Sequence, residues 1–231
     1  MLQETKVADG DFPVDPLLEA GYGALSHGQG GRNGVAILSR QPLQEVARGL
    51  PGSPVPDEAR FLVADTGGLT VATVYAVNGK EVGDPAYEIK LAWFEALAAW
   101  SLASIDPAAP VVVGGDFNVA PDDRDVHDPD LWRGRNLASE PERERLRGLM
   151  RAGLVDLGRA AAGDAPGPFT FWDYRMGAFH RGWGLRIDLV LGTAAVAERL
   201  TSAAVDRDER KPTSGEGKPS DHAPLIVTLR D

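Results

Sequence analysis

Four separate stretches of this chain carry residues suited to one piece of chemistry. Gln3-Glu4-Thr5-Lys6 offers a carboxylate, Gly114-Gly115-Asp116-Phe117-Asn118 an Asp-x-Asn pair, Leu185-Arg186-Ile187-Asp188 a strand-borne acid, and Ser220-Asp221-His222 an acid beside an imidazole. An ionised Asp116 can take a proton from water, and the amide of Asn118 can donate to a phosphate oxygen. Asp188 needs a partner, because an unpaired buried charge costs several kcal/mol or more. His222 is a candidate whose tautomer it would fix and whose pKa it would raise. His222 could then act as general acid/base, or as donor to a phosphoryl oxygen, beside a hard cation. Glu4 with help from Asp221 suffices for Mg²⁺, which binds through few protein oxygens plus water. Together these groups point to metal-assisted hydrolysis of a phosphodiester.

Each piece also has a plainer use. Asp116 and Asn118 suit an Asx turn closing a strand, Asp188 suits a salt bridge with a nearby arginine, and His222 suits a solvated loop. His27, His127 and His180 lack comparable neighbours and read as ordinary surface residues. The chain has no cysteine, and its four histidines have no zinc-ligand spacing. It also has no phosphate-binding Gly-x-x-x-x-Gly-Lys loop and no Gly-x-Ser-x-Gly nucleophile elbow.

The elements that must position these residues follow from hydrophobic periodicity. Strands are expected at 34–39, 60–66, 69–77, 111–114, 153–157, 186–191 and 224–229. Helices are expected at 85–104, at about 140–152 and, shorter, at 194–200. Ser139 followed by Glu142 has the spacing of a capping box. The irregular stretches are 49–56, 162–168 and 206–219, the last a polar, mobile surface loop delivering Ser220-Asp221-His222 to the next strand. Many strands with few long helices favour two packed sheets flanked by helices.

At 231 residues, one α/β domain over 1–231 is enough to hold this core. With 43% hydrophobic and 25% charged residues, composition is that of a soluble globular protein. No apolar run approaches the roughly 20 residues needed to span a bilayer. No secretory signal is recognisable, so a cytoplasmic location is expected. The net charge of −10 argues against a protein that coats nucleic acid, but not against an enzyme with a local basic patch. Arg175, His180, Arg181 and Arg186 are the candidate patch, a solvated loop being the plainer reading.

In order along nearly the whole chain, Leu2-Gln3-Glu4-Thr5-Lys6, Gly34-Val35-Ala36-Ile37-Leu38, Tyr75 with Asn78-Gly79, Gly115-Asp116-Phe117-Asn118, Trp172-Asp173-Tyr174-Arg175, Gly184-Leu185-Arg186-Ile187-Asp188 and Ser220-Asp221-His222-Ala223-Pro224 resemble the exonuclease III family of abasic-site endonucleases. That family lies within the endonuclease/exonuclease/phosphatase superfamily that includes DNase I. The resemblance implies a four-layer α/β sandwich of two packed mixed β-sheets flanked by helices. It implies that Glu4 and Asp221 bind Mg²⁺, with Mn²⁺ an alternative, and that Asp116 activates water. Tyr75 and Asn118 would contact the scissile phosphate, with Asp188 orienting His222. Arg60 and Asn78 would hold the DNA backbone and Phe171 would line the pocket for a base-less sugar. Trp172, Arg175 and Arg186 fall in a 171–186 stretch expected to form a DNA-facing wall. The implied partner is double-stranded DNA with abasic sites or 3′ ends, cut by a monomer.

Two departures from the family pattern stand out. Met1 directly precedes a motif that in the family follows an upstream segment with a first strand. The chain is therefore expected to be N-terminally truncated, and less stable and active than a longer form. Val77 stands where relatives commonly have proline, which should loosen the Asn78 loop. The rival readings are a phosphoesterase of the same superfamily acting on RNA or a small phosphoester, and a catalytically impaired remnant.

Overall fold

A computed structural model of the chain describes residues 1–211 and 217–231. The strands are β1 (Leu2–Gln3), β2 (Gly23–His27), β3 (Val35–Ser39), β4 (Gln44–Arg48), β5 (Phe61–Thr66), β6 (Leu69–Tyr75), β7 (Val111–Asp116), β8 (Val155–Asp156), β9 (Asp188–Gly192), β10 (Leu200–Val205) and β11 (Leu225–Leu229). The α-helices are α1 (Val14–Glu19), α2 (Pro85–Ser104), α3 (Pro129–Trp132), α4 (Glu140–Arg151), α5 (Leu157–Ala162), α6 (Ala178–Arg181) and α7 (Ala194–Ala197). No helix among the described residues is long and apolar enough to cross a membrane.

The centre is a six-stranded sheet in the order β4-β5-β6-β7-β9-β8. Its β6 and β7 run parallel and its other pairs antiparallel. Val111, Val112 and Val113 are apolar at consecutive positions because β7 is covered on both faces. One face packs on α2 and α4, where Phe61, Val74 and Leu189 meet Trp93, Leu97, Leu146 and Leu149. The other carries two smaller antiparallel sheets, β1-β3-β2 and β10-β11. Val35 and Ile37 of β3 pack on Leu62 and Ala64 of β5, while Leu225 and Val227 of β11 cover Val112 and Val190. With α1 packed outside β2, the chain is layered helix, sheet, sheet, helix. The mixed strand directions expected for both sheets occur in the six-stranded one, and the second sheet layer is antiparallel and in two parts.

Helix signals act as the local chemistry requires. Asp84 accepts from the Ala86 amide at 2.8 Å, with Pro85 opening α2. Glu142 reaches back to the Ser139 amide at 3.0 Å at the start of α4. The 194–200 expectation divides into α7 and the beginning of β10, and the 153–157 strand shortens to β8. Of the loop expected at 206–219, Arg207–Arg210 form a 3-10 helix and 212–216 lie outside the described residues.

Candidate active site

Strand register decides what meets at the end of the central sheet. Tyr75 pairs with Asp116 across β6 and β7, and Asp116 pairs with Asp188 across β7 and β9. Three polar residues from three strands thus form one row at the strand ends. Laterally paired residues point to the same side of a sheet. Gly115 makes the approach possible: its φ is +142°, and a Cβ there would stand 2.1 Å from the Val74 carbonyl oxygen.

Asp116 is 6% exposed. Its Oδ1 accepts from the Asn118 amide at 2.8 Å and its Oδ2 from Asn118 Nδ2 at 3.1 Å. The same Nδ2 donates to the Ala76 carbonyl at 3.0 Å, while Asn118 Oδ1 accepts from Asn78 Nδ2 at 3.0 Å. Both side-chain hydrogens of Asn118 are therefore engaged, and in this state the residue holds Asp116; contact with a phosphate requires one of them to be released. Burial, then the neighbouring Asp188, push the Asp116 carboxyl up to about 7.

His222 arrives from the far end of the chain. Segment 170–172 bridges the two parts: the Trp172 amide donates to the Asp221 carbonyl, the Ala223 amide to the Thr170 carbonyl, and Phe171 pairs with Leu185 and His222. Thr170 Oγ1 accepts from the amides of Ile187 and Asp188 at 3.2 and 3.1 Å. His222 Nδ1 then stands 2.8 Å from Asp188 Oδ2. Burial alone would lower the imidazole pKa, but Asp188, with Asp116 and Asp221 beyond, raises it to about 10. His222 is thus held protonated at neutral pH.

On the other side Tyr75 donates to Glu4, whose second oxygen pairs with Lys6 at 2.9 Å. Burial and Glu4 raise the Tyr75 pKa, keeping it a donor. Burial opposes ionisation of Glu4, but the bonds from Tyr75 and Lys6 prevail and lower its pKa. Glu4 has φ +52°, a left-handed backbone that costs a non-glycine residue about 1–3 kcal/mol and concentrates at functional sites. Thr5 and Lys6 amides, bonded to the Gly34 and Asn33 carbonyls, hold it there.

Glu4, Asp116, Asp188, Asp221 and His222 line one cavity of about 570 Å³. Among the described residues no three acid or histidine side chains close around a point as a metal cage. Glu4 and Asp221 present hard oxygens to this open cleft, a set that suits a cation keeping most of its waters better than zinc.

A model of the endonuclease/exonuclease/phosphatase family matches residues 1–222. The chain is 33% identical over 240 residues to exodeoxyribonuclease III of Haemophilus influenzae, covering 99% of this chain and 88% of the relative. The chain belongs to the exonuclease III branch of this family. It is accordingly a phosphodiesterase of nuclease type, and divalent-metal dependence is a general property of that family. The fold matches the 3′-5′ exonuclease from Neisseria meningitidis with a TM-score of 0.93 at 36% identity, covering 99% of this chain and 87% of that one. An AP endonuclease from Archaeoglobus fulgidus matches at TM-score 0.92 and 35% identity, covering 98% and 86%. The four-layer sandwich implied by the motifs is the family fold.

Other residues expected to touch DNA have different fates. Phe171 is half-buried with its ring 5.0 Å from that of His222. Arg60 stacks on Tyr75 at 4.7 Å and donates to its carbonyl, and Asn78 is joined to Asn118. Arg175 is exposed and paired with Asp173. Trp172 does not face a ligand: it is 2% exposed, edge-on to Phe179. Arg186 also needs correction. It is 1% exposed, donates to Asp125 at 2.6 Å and is forked on Asp156 at 3.0 and 2.8 Å, so it braces the interior behind the site. Replacing Arg186 by methionine is therefore expected to cost about 3–5 kcal/mol in urea denaturation, by leaving buried Asp156 without its ion-pair partner and Asp125 with Arg159 alone, and to leave DNA affinity of the folded fraction unchanged. Thr170 stands beside the Phe171–Arg175 motif with no role implied by it, and Asp125 and Asp156 lie in none of the motifs; their roles come from contacts far apart in sequence.

Proposed function

We propose that this chain is a Mg²⁺-dependent DNA repair nuclease that cuts phosphodiesters 5′ of abasic sites and removes nucleotides 3′ to 5′ from duplex DNA. The observation that carries this reading is the row Tyr75, Asp116 and Asp188 with His222 hydrogen-bonded to Asp188. The relatives support a DNA substrate: one is named exodeoxyribonuclease III and another AP endonuclease, and a further structure of the Neisseria protein is described as bound to a product DNA hairpin.

Glu4 and Asp221 would hold the cation, which would screen the phosphate charge when bound. Asp116, once ionised, takes the proton of a water in line with the scissile bond, and Asn118 keeps its carboxylate aimed. The protonated His222, steadied by Asp188, donates to a phosphoryl oxygen as charge grows there. Tyr75, packed under Arg60, gives its one hydroxyl hydrogen to Glu4 in this state and becomes a second donor to the phosphate only when that bond is released. Phe171 offers an apolar surface beside His222 that suits a sugar without its base.

The test is incision of a duplex carrying one abasic site, with Mg²⁺ and with EDTA. Strand cutting only with Mg²⁺, leaving a 3′-hydroxyl, is expected, and Glu4→Gln should need a higher Mg²⁺ concentration for half-maximal rate. Cutting that survives EDTA, or hydrolysis confined to RNA or small phosphoesters, would overturn the assignment.

A further inference from the structure

Beneath the asparagines of the site lies a charged side chain that the mechanism above does not use. Lys90, in the second turn of α2, is 0% exposed. Its Nζ donates to the Asn118 carbonyl at 2.7 Å, the Asn78 carbonyl at 3.1 Å and Asn136 Oδ1 at 3.1 Å, and it is ion-paired with Glu142. Asn136 Nδ2 in turn donates to the Asn78 and Lys80 carbonyls at 2.9 and 3.0 Å. Gly79 leaves room for this convergence, since a Cβ there would lie 2.9 Å from both Asn136 Oδ1 and Lys90 Cδ.

We propose that Lys90 is a positioning residue for the reaction: by gripping the backbone carbonyls of Asn78 and Asn118 from below, it sets the side chains that aim Asp116. The inference rests on the phosphodiesterase reading of the site. Asn118 has φ +52°, a conformation that surrounding contacts must hold. Its carbonyl is held by Lys90 while its side chain holds Asp116 and accepts from Asn78. A buried ion pair as such adds little net stability over apolar residues of the same volume. Packing alone is therefore no reason for an ammonium at this point in α2. What an apolar side chain cannot do is bind two site carbonyls at once.

The experiment compares Lys90→Met/Glu142→Gln, a neutral pair of nearly unchanged volume, with wild type. Readouts are Tm, kcat and KM on abasic duplex, and hydrogen exchange of residues 76–80 and 116–120. The expected result is a Tm lowered no further than by a core substitution such as Leu149→Val, because buried acceptors lose their donor, with KM within about threefold, kcat lower by about 10–100-fold, and faster exchange in both segments, since small misplacements of reacting groups cost on this scale. Glu142→Gln alone, which leaves Lys90 on the carbonyls, is expected to keep kcat of the folded protein within about threefold. A double variant with wild-type kcat and exchange would overturn the proposal. So would a kcat loss reproduced by a core variant of equal Tm such as Leu149→Val, or by Glu142→Gln alone. If wild type cuts no duplex, the nuclease reading fails, and the exchange comparison still decides whether Lys90 holds these loops.

Discussion

Replacing Asp116 by asparagine is expected to lower kcat by about 10²–10⁴-fold, the usual contribution of a positioned general base, while making the protein more stable at alkaline pH. The two effects share one cause. Burial and Asp188 raise the Asp116 carboxyl to about 7 from an ordinary value of 3.8. Between those values the unfolded chain has released a proton that the folded chain keeps. The contribution of this group to stability therefore falls as pH rises through that window, and the full penalty stands above about pH 7. Asparagine is neutral throughout and keeps the bond from the Asn118 amide, while the bond from Asn118 Nδ2 is lost equally at every pH. In EDTA at about pH 8 its Tm should exceed that of wild type, by about 2–4 °C for each kcal/mol recovered, with the gain fading towards pH 4. Retained turnover, or a lower Tm at pH 8 than wild type, would contradict the role given to Asp116.

His222→Ala should cost a similar factor, about 10²–10⁴ in kcat, and Asp188→Asn a smaller one. Their combination should be no worse than His222→Ala alone, because Asp188 acts on the reaction through the imidazole and contacting residues are not additive. The pH profile separates the roles. With His222 raised to about 10, wild-type kcat should fall on the alkaline side only as the ring loses its proton near that value. Asp188→Asn removes the charge that raises it, so the alkaline limb should shift down towards the ordinary histidine range. An unmoved limb, or a double variant whose loss is the product of the single losses, would show that Asp188 acts independently of His222.

Much of the site could be read along the chain because its chemistry is carried by short motifs at strand ends. The Val111-Val112-Val113 run marked β7 and the turn after it, and the apolar face of 85–104 marked α2. Four strands escaped the periodicity for local reasons, β1 because it is only two residues long. β4 is a largely exposed edge strand, Gln-Glu-Val-Ala-Arg, while β2 and β10 are rich in small or polar residues, so none shows clean alternation. Arg186 and Trp172 were misread because a side chain's sequence neighbours do not reveal what it meets. The acids that bury Arg186 lie 61 and 30 residues away, and the aromatic and cationic side chains around Trp172 come from 179 and 207.

What the sequence determined alone is the family, the main helices and core strands, and which residues are the candidates for the reacting groups. Those depend on residue type, short spacing and local periodicity. The tertiary structure decided which groups act together: the registers that align Tyr75, Asp116 and Asp188, the seating of His222 on Asp188, the withdrawal of Arg186 into the interior, and the place of Lys90 beneath two loops. Each is a pairing between distant segments. A buried charge must find a compensating partner wherever the packed chain brings one within hydrogen-bond reach, and that choice is made by the fold as a whole.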